Sequence, residues 1–157
     1  MQPTNSDYSV LVSSPWGTMA ILGSSDAIER ILFPDELKDE ITKHPNALLR
    51  KAAEQLSEYF AGTRRTFSLP LASSGTAFQQ RVWNGVAHVP YGATTTYQGL
   101  ATEIGHPRAS RAVGQALGRN PLPIIVPCHR VLSRNGVGGF SGGLDVKRGL
   151  LELESAR

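Results

Sequence analysis

A single cysteine, Cys128, has the greatest capacity for covalent chemistry in this sequence, and His129 and Arg130 follow it directly. A thiol attacks as the thiolate, and a neighbouring base or cation raises the thiolate fraction. The adjacent imidazole can serve as that base across a tight turn or through one water, and a carboxylate can orient it, with Glu152 and Glu154 available. The pattern indicates a nucleophilic cysteine. The alternative is an inert core cysteine, which is the commoner role of a lone cysteine after an apolar run.

The thiol lies in a proline-rich segment, residues 121–132, which contains Pro121, Pro123 and Pro127 around an apolar run at 124–126. Proline fixes φ and has no N–H to donate. It also pushes the preceding residue towards extended geometry. We expect a stiff, buried, extended strap that holds the thiol in place.

A glycine-rich loop, residues 133–143, follows the strap and leads into a helix predicted over 146–155 with Asp145 as its cap. Glycine lets a backbone approach a ligand closely. The glycine spacing is not that of a phosphate-binding loop. Lys147 lies in the first turn of this helix, close in sequence to the loop.

Two short helices precede the strap. Thr95 with Gln98 three residues later fits a capping box, so a helix is expected over 96–104, and a second over 108–118 after a glycine-containing turn. This layout is typical of a helix-turn-helix, although a plain helical hairpin has the same pattern. The expected core face of the second helix consists of Ala109, Ala112, Val113, Ala116 and Leu117. The expected free face consists of Arg108, Arg111, Gly114, Gln115 and Arg119, and its arginines suit a phosphate backbone.

The N-terminal third has alternating apolar residues separated by turn signals, which predicts a β-meander followed by a helix. A change of character near residues 72–76 divides the chain into domains 1–72 and 73–157. The predicted strands are 8–13, 18–22, 28–33 and a short one at 67–71, and the predicted helices are 47–61, opened by Asn46, and 77–87, capped by Thr76.

Charge is unevenly distributed along the chain. Residues 1–77 carry 7 Lys/Arg and 9 Asp/Glu, whereas residues 78–157 carry 9 Lys/Arg and 4 Asp/Glu. The basic half indicates an anionic partner such as nucleic acid, and the alternative is a charged surface that only aids solubility. There is no signal-peptide pattern and no apolar run long enough to span a bilayer, so no membrane association is expected. One free cysteine fits the reducing cytoplasm and cannot build a cysteine-rich metal site, and no metal is expected.

Several blocks together resemble the alkylguanine-DNA alkyltransferases, also called methylated-DNA–protein-cysteine methyltransferases. The likeness covers residues 78–154, and the N-terminal third is similar only in outline. The blocks are Phe-Gln-Gln-Arg-Val-Trp at 78–83, Pro-Tyr-Gly at 90–92, Tyr-Gln-Gly-Leu-Ala at 97–101, Arg-Ala-Val-Gly at 111–114, Asn-Pro at 120–121, Ile-Val-Pro-Cys-His-Arg-Val at 125–131, Ser-Gly-Gly-Leu at 141–144 and Lys147.

The resemblance implies an α+β fold. A small antiparallel sheet with a helix, ribonuclease H-like, would precede a mostly helical, winged helix-turn-helix-like domain. It also implies direct repair of double-stranded DNA by a monomer without cofactor or metal. An alkyl group would move irreversibly from oxygen-6 of guanine, or oxygen-4 of thymine, to Cys128, once per molecule. The helix-turn-helix would bind in the minor groove, and the nucleotide would first be flipped out of the base stack.

Residue roles follow from the same resemblance. His129 is expected to activate the thiol through a water, Glu154 to pair with His129, and Asn120 to order the cysteine turn. Tyr97 and Lys147 are expected to donate towards the guanine. The expected substrate pocket consists of Tyr97, Pro123, Val131, Phe140, Ser141 and Gly142. The expected DNA contacts are Thr95, Arg108, Ala109, Ser110, Arg111, Ala112, Gly114 and Gln115, with Arg111 filling the vacated stack.

Phe140 departs from the family pattern, because many relatives have tyrosine there, and this bears on the preference among alkyl groups. Two other functions were weighed. A sequence-reading helix-turn-helix regulator would explain the basic half but leave the Cys-His strap and the glycine loop unused. A cysteine hydrolase would use Cys128 and His129 but leave Arg111 without a role.

Overall fold

The computed structural model describes residues 7–37 and 44–155, and the chain divides into two compact units, Met1–Ser73 and Ser74–Arg157. Within the described residues, no helix is long and apolar enough to cross a membrane. The polar, charged segment 34–45 between the third predicted strand and the first predicted helix is expected to be a loop, and its residues 38–43 lie outside the described residues.

The first unit contains an antiparallel meander of β1 (Tyr8–Ser14), β2 (Gly17–Gly23) and β3 (Ile28–Leu32), in spatial order β1-β2-β3. Helix α1 (Ala47–Phe60) packs against it, and the Asn46 side chain caps the helix by accepting from the Leu49 N–H at 2.8 Å. The predicted meander and helix are therefore confirmed.

The prediction of a short strand at residues 67–71 is wrong, because within the described residues this segment forms one isolated bridge, between Leu71 and Ile28, and no strand. Pro70 lacks the N–H that a ladder would need. The buried side chain of Gln55 instead accepts from Ser68 N at 3.0 Å and donates to Ser68 O at 3.4 Å. The backbone of Ser68 is therefore hydrogen-bonded to the Gln55 side chain instead of to a neighbouring strand.

The second unit consists of α2 (Ala77–Val86), α3 (Tyr97–Glu103), α4 (Ser110–Gly118) and α5 (Leu144–Ser155), with a two-stranded parallel sheet of β4 (Thr95–Thr96) and β5 (Val131–Leu132). The Trp83 indole in α2 donates to Ala116 O in α4 at 2.8 Å and fixes these helices to each other. The unit packs around a core that consists of Val82, Trp83, Val86, Val89, Leu100, Ala101, Val113, Ala116, Leu117, Cys128 and Val131.

Helix boundaries in this unit differ from the predictions by one to two residues. The cap of α3 is Thr96, whose hydroxyl accepts from Gly99 N at 2.9 Å, whereas Thr95 pairs with Val131 in the parallel sheet. Gln98 closes no capping box and donates to Pro107 O at 2.6 Å, which ties the helix start to the turn before α4. Because β4 pairs with β5, the backbone stays extended through Thr96, and the helix begins at Tyr97.

Three further expectations about helix residues are corrected. Arg108 precedes α4, which begins at Ser110. Ala112 is exposed and faces away from the core. Asp145 lies in the first turn of α5, so it does not cap the helix.

The proline-rich strap is buried but not uniformly extended. Ile124 has a φ of +74°, Pro123 and Val126 form a bridge, and Cys128–Arg130 is one 3-10 turn. The Asn120 side chain accepts from Leu122 N at 2.9 Å and donates to Val126 O at 2.9 Å. These bonds satisfy the backbone of a tight reversal, and this is why the strap does not run straight.

Candidate active site

The thiol of Cys128 is 5% exposed and opens the 3-10 turn that ends the strap. The Asn120 Nδ2 donates to Cys128 Sγ at 3.2 Å. Burial raises the pKa of Cys128 to about 11, although the Asn120 hydrogen bond and the positive charge of Lys147 act in the opposite direction. The resting sulfur is therefore a protonated thiol, and its reaction as a nucleophile requires a base.

The imidazole of His129, the next residue in the 3-10 turn, is fully buried, and its Nε2 lies 2.7 Å from Glu154 Oε2. A carboxylate only accepts hydrogen bonds, so Nε2 carries the hydrogen and Nδ1 has the free lone pair. Nδ1 has no hydrogen-bond partner among the residues that the structure describes. The pKa of His129 is lowered overall, first by burial and also by the charges of Arg130 and Lys147, while the hydrogen bond and charge of Glu154 raise it. The result is a neutral imidazole with one nitrogen available as a proton acceptor.

Glu154 rather than Glu152 is the carboxylate brought to the histidine. Glu154 is 3% exposed, whereas Glu152 is exposed on the opposite side of α5. Residues 129 and 154 lie in separate elements, and sequence spacing alone left both carboxylates open.

Arg130 is a site residue to which the sequence analysis gave no role. Its side chain donates to Glu154 from Nε and Nη2, both at 2.9 Å, and from Nη1 to Val89 O at 2.7 Å. Gly92 N also donates to Glu154 Oε1 at 3.4 Å. The only sequence signal was its position directly after His129 in a buried segment.

Lys147 lies behind the glycine loop, where its side chain is fully buried. Its Nζ donates to Val131 O at 2.7 Å and to Gly139 O at 2.9 Å, and lies 5.9 Å from the centre of the Tyr97 ring. Burial lowers the pKa of Lys147 to about 8. Lys147 therefore joins β5 to the loop and supplies positive charge near the sulfur.

A pocket of about 230 Å³ opens over the thiol. Of the residues expected to form the site, it is lined by Cys128, Tyr97, Gly114, Phe140 and Ser141. The lining also includes Leu117, Gly118 and Gly139, which the sequence analysis did not assign to the site. Pro123, Val131 and Gly142, which were expected to contact the substrate, are not among the described residues that line it.

Tyr97 forms one wall of this pocket, with its hydroxyl at the glycine loop. Gly139 N donates to Tyr97 Oη at 3.2 Å, which leaves the hydroxyl hydrogen free to donate to a ligand. A Cβ built at Gly114 would lie 3.7 Å from the Tyr97 ring. Small residues on α4 therefore let the helix approach the tyrosine.

The outer surface of α4 continues from the pocket to solvent. Arg111 and Gln115 are exposed on it, with Arg108 just before the helix, and Gly114 reaches the pocket. Ala109, Ser110 and Thr95 are half-buried. Arginines beside small residues form a surface on which a polyanion can lie close to the backbone.

Across the part of the chain described, no three His, Cys, Asp or Glu side chains cluster as metal ligands would.

Comparisons with known proteins agree with this geometry. The family described as 6-O-methylguanine DNA methyltransferase matches twice, by its ribonuclease-like domain at residues 8–73 and by its DNA binding domain at residues 77–156.

Individual relatives cover nearly the whole chain. The methylated-DNA–protein-cysteine methyltransferase of Methanosarcina acetivorans is 42% identical over 155 residues, covering 95% of this chain and 99% of that protein. The constitutive enzyme of Bacillus subtilis is 43% identical over 159 residues, covering 94% and 95%. The crystal structure of Mycobacterium tuberculosis OGT in complex with DNA has a TM-score of 0.86 at 40% identity, covering 95% of this chain and 93% of that chain.

Proposed function

Since the chain belongs to the 6-O-methylguanine DNA methyltransferase family, we propose that it repairs double-stranded DNA by moving an alkyl group from oxygen-6 of guanine to Cys128. Oxygen-4 of thymine is a second target of the same chemistry. The observation that carries the proposal is the free thiol of Cys128 in a pocket that it shares with Tyr97 of α3 and with Gly114 of α4, the helix whose outer surface carries Arg111. Residues 1–72 form the N-terminal domain, and residues 73–157 bind DNA and react.

The reaction begins with deprotonation of the thiol. His129 Nδ1 takes the Cys128 proton through a water, and Glu154 stabilises the imidazolium that forms. The thiolate then attacks the alkyl carbon in line with the C–O6 bond. A sulfur–carbon bond forms, and the electron pair of the broken bond stays on the guanine, which is finally reprotonated.

Negative charge develops on the guanine as it leaves, so donors at the pocket wall lower the barrier. The Tyr97 hydroxyl and the backbone N–H of Ser141 donate to the ring, and the Lys147 ammonium adds positive charge at the same end. Phe140 supplies an apolar surface to the alkyl group. Because the resulting thioether is not hydrolysed under these conditions, each molecule reacts once.

Access to the target requires the nucleotide to leave the base stack, at a cost of a few kcal/mol. The surface formed by α4 enters the minor groove, where Ala109, Ser110, Ala112 and Gly114 allow close approach. Arg111 fills the space in the stack. Thr95, Arg108 and Gln115 contact the DNA around it. The protein acts as a monomer in the cytoplasm, which fits its single reduced cysteine.

Incubation with a duplex that contains O6-methylguanine should add the mass of one CH₂ group per molecule, since the methyl replaces the thiol hydrogen. Intact-mass spectrometry measures this, and peptide mapping should place the group on Cys128, the only cysteine. An unmodified duplex is the control. Unchanged mass with tight, sequence-dependent binding would instead support a regulator, and repeated ester or peptide turnover would support a hydrolase.

Gly138→Ala should destabilise the protein by about 1–2 kcal/mol and slow transfer between about tenfold and 100-fold. Gly138 has a φ of +80°, and a Cβ there would lie 2.7 Å from Tyr97 Oη and 3.1 Å from Ser133 N, so the tyrosine must move. Thermal unfolding and the single-turnover rate measure the two effects. Gly136→Ala in the same loop is the matched control, because its Cβ would meet only Ser133 Oγ at 3.9 Å. Equal behaviour of the two variants would contradict the prediction.

A further inference from the structure

The guanidinium of Arg130 holds the Glu154 carboxylate together with His129. It forms two parallel hydrogen bonds to the carboxylate, both of 2.9 Å, and Glu154 Oε2 is shared between Arg130 Nη2 and His129 Nε2. Paired N–H groups on a carboxylate fix its plane as well as its position. Glu154 therefore cannot rotate without losing a bond to one of these partners.

Arg130 is itself fixed on its other side. Its Nη1 donates to Val89 O at 2.7 Å, its guanidinium carbon lies 5.7 Å from the centre of the Tyr91 ring, and the residue is 7% exposed. A lysine cannot reproduce the planar fork that makes these contacts simultaneously. These contacts are to Glu154, Val89 O and the Tyr91 ring, and Arg130 is not among the described residues that line the pocket, so it influences the chemistry by holding Glu154 and through the effect of its charge on His129.

We propose that Arg130 is a positioning residue that balances the charge of Glu154, so that His129 stays neutral at rest with Nδ1 available to take the Cys128 proton. This inference rests on the transferase function proposed above. The charged and titratable groups that face His129 are Glu154 and Lys147 from α5, Arg130 from its own turn, and the neighbouring Cys128.

The direction of the effect follows from the charges. An unbalanced carboxylate beside an imidazole favours the imidazolium, which has no lone pair for the thiol proton. The Arg130 and Lys147 charges oppose that effect, and both lower the pKa of His129. Removal of Arg130 leaves Lys147 as the only cation among these groups, so protonation of His129 at rest should begin at a higher pH.

The test compares Arg130→Gln with Arg130→Lys by single-turnover methyl transfer from about pH 5 to pH 8, where histidine titrates. The glutamine variant should move the acid-side midpoint of the rate profile up by about 1 pH unit or more. The lysine variant keeps the charge and should keep the midpoint close to that of the unmodified protein. Arg50→Gln, at an exposed arginine of α1, is the matched control and should change nothing.

A merely structural role for Arg130 predicts a different result. The melting temperature of the glutamine variant would then fall. Its transfer rate would fall by the same factor at every pH, and the midpoint of the rate profile would not move. That outcome would overturn the inference, as would a midpoint that moves to lower pH, which would mean that Glu154 takes up the proton. If the unmodified protein transfers no methyl group, the proposed function fails instead.

The inference stays testable if the glutamine variant does not fold. Nitrogen-15 NMR of the otherwise unmodified protein, with His44, His88 and His106 replaced by asparagine, reports the His129 ring alone. The expected spectrum at neutral pH is that of a neutral imidazole protonated at Nε2. An imidazolium or an Nδ1-protonated ring would overturn the inference whether or not transfer occurs.

Discussion

Cys128→Ala is expected to abolish alkyl transfer while the affinity for methylated duplex DNA changes by less than about threefold, equivalent to under ~1 kcal/mol. Cys128 has the only thiol in the chain, and no other residue lining the pocket has a comparable nucleophile. The surface proposed to bind DNA is that of α4, which the substitution does not touch. Transfer is measured by intact mass, and binding by fluorescence anisotropy with a labelled duplex.

Truncation of the side chain should cost little stability, because Asn120 Nδ2 keeps its bond to Val126 O at 2.9 Å after it loses Sγ. Loss of one such hydrogen bond costs about 1 kcal/mol. Cys128→Ser is the matched control, since its hydroxyl can still accept from Asn120. Loss of binding together with transfer in the alanine variant, and a restored melting temperature in the serine variant, would assign the cysteine a structural role.

The parts of the fold that depend on short-range signals could be predicted from the sequence. Asn46 and Thr76 cap their helices through side-chain bonds to residues three positions on, and both were predicted. Thr95 was placed wrongly as the cap because Thr95 and Thr96 both pair with a strand 36 positions further along, which cannot be read from local pattern. The capping preference of threonine was correct, and the helix begins after Thr96, the second of the two extended threonines.

The strap shows a second limit. Three prolines predicted an extended backbone, but Asn120 binds the strap on both sides of a reversal, and Ile124 is in a left-handed conformation that apolar branched residues rarely adopt. Side-chain hydrogen bonds to the backbone outweighed local preference here. Such bonds depend on where a side chain points, which residue type does not reveal.

The chemical groups of the site were identifiable, but their arrangement was not. Cys128 and His129 are conspicuous by type and adjacency, whereas the choice between Glu152 and Glu154 depended on which face of α5 is buried. Arg130 was missed because an arginine is normally a surface residue, and only its burial against Glu154 and Val89 O reveals its role.

Arg111→Ala should slow repair of duplex DNA by roughly 10²-fold and leave the reaction with free O6-methylguanine within about twofold of the original rate. A free base does not have to be flipped, so only the duplex reaction needs a side chain that fills the vacated stack. Arg111 is exposed on α4, one helical turn before Gly114, which lines the pocket. Arg111 is therefore on the surface proposed to face DNA and is not among the described residues that line the pocket.

Single-turnover rates on the two substrates, at matched salt, measure the effect. Arg119→Ala is the matched control, because this exposed arginine follows the last turn of the same helix and its loss should change only the general attraction for phosphate. We expect Arg119→Ala to lower duplex affinity slightly and evenly, with less effect at higher salt. Equal losses on duplex and free base for Arg111→Ala would refute the flipping role, because they would mean that the arginine supports the pocket itself.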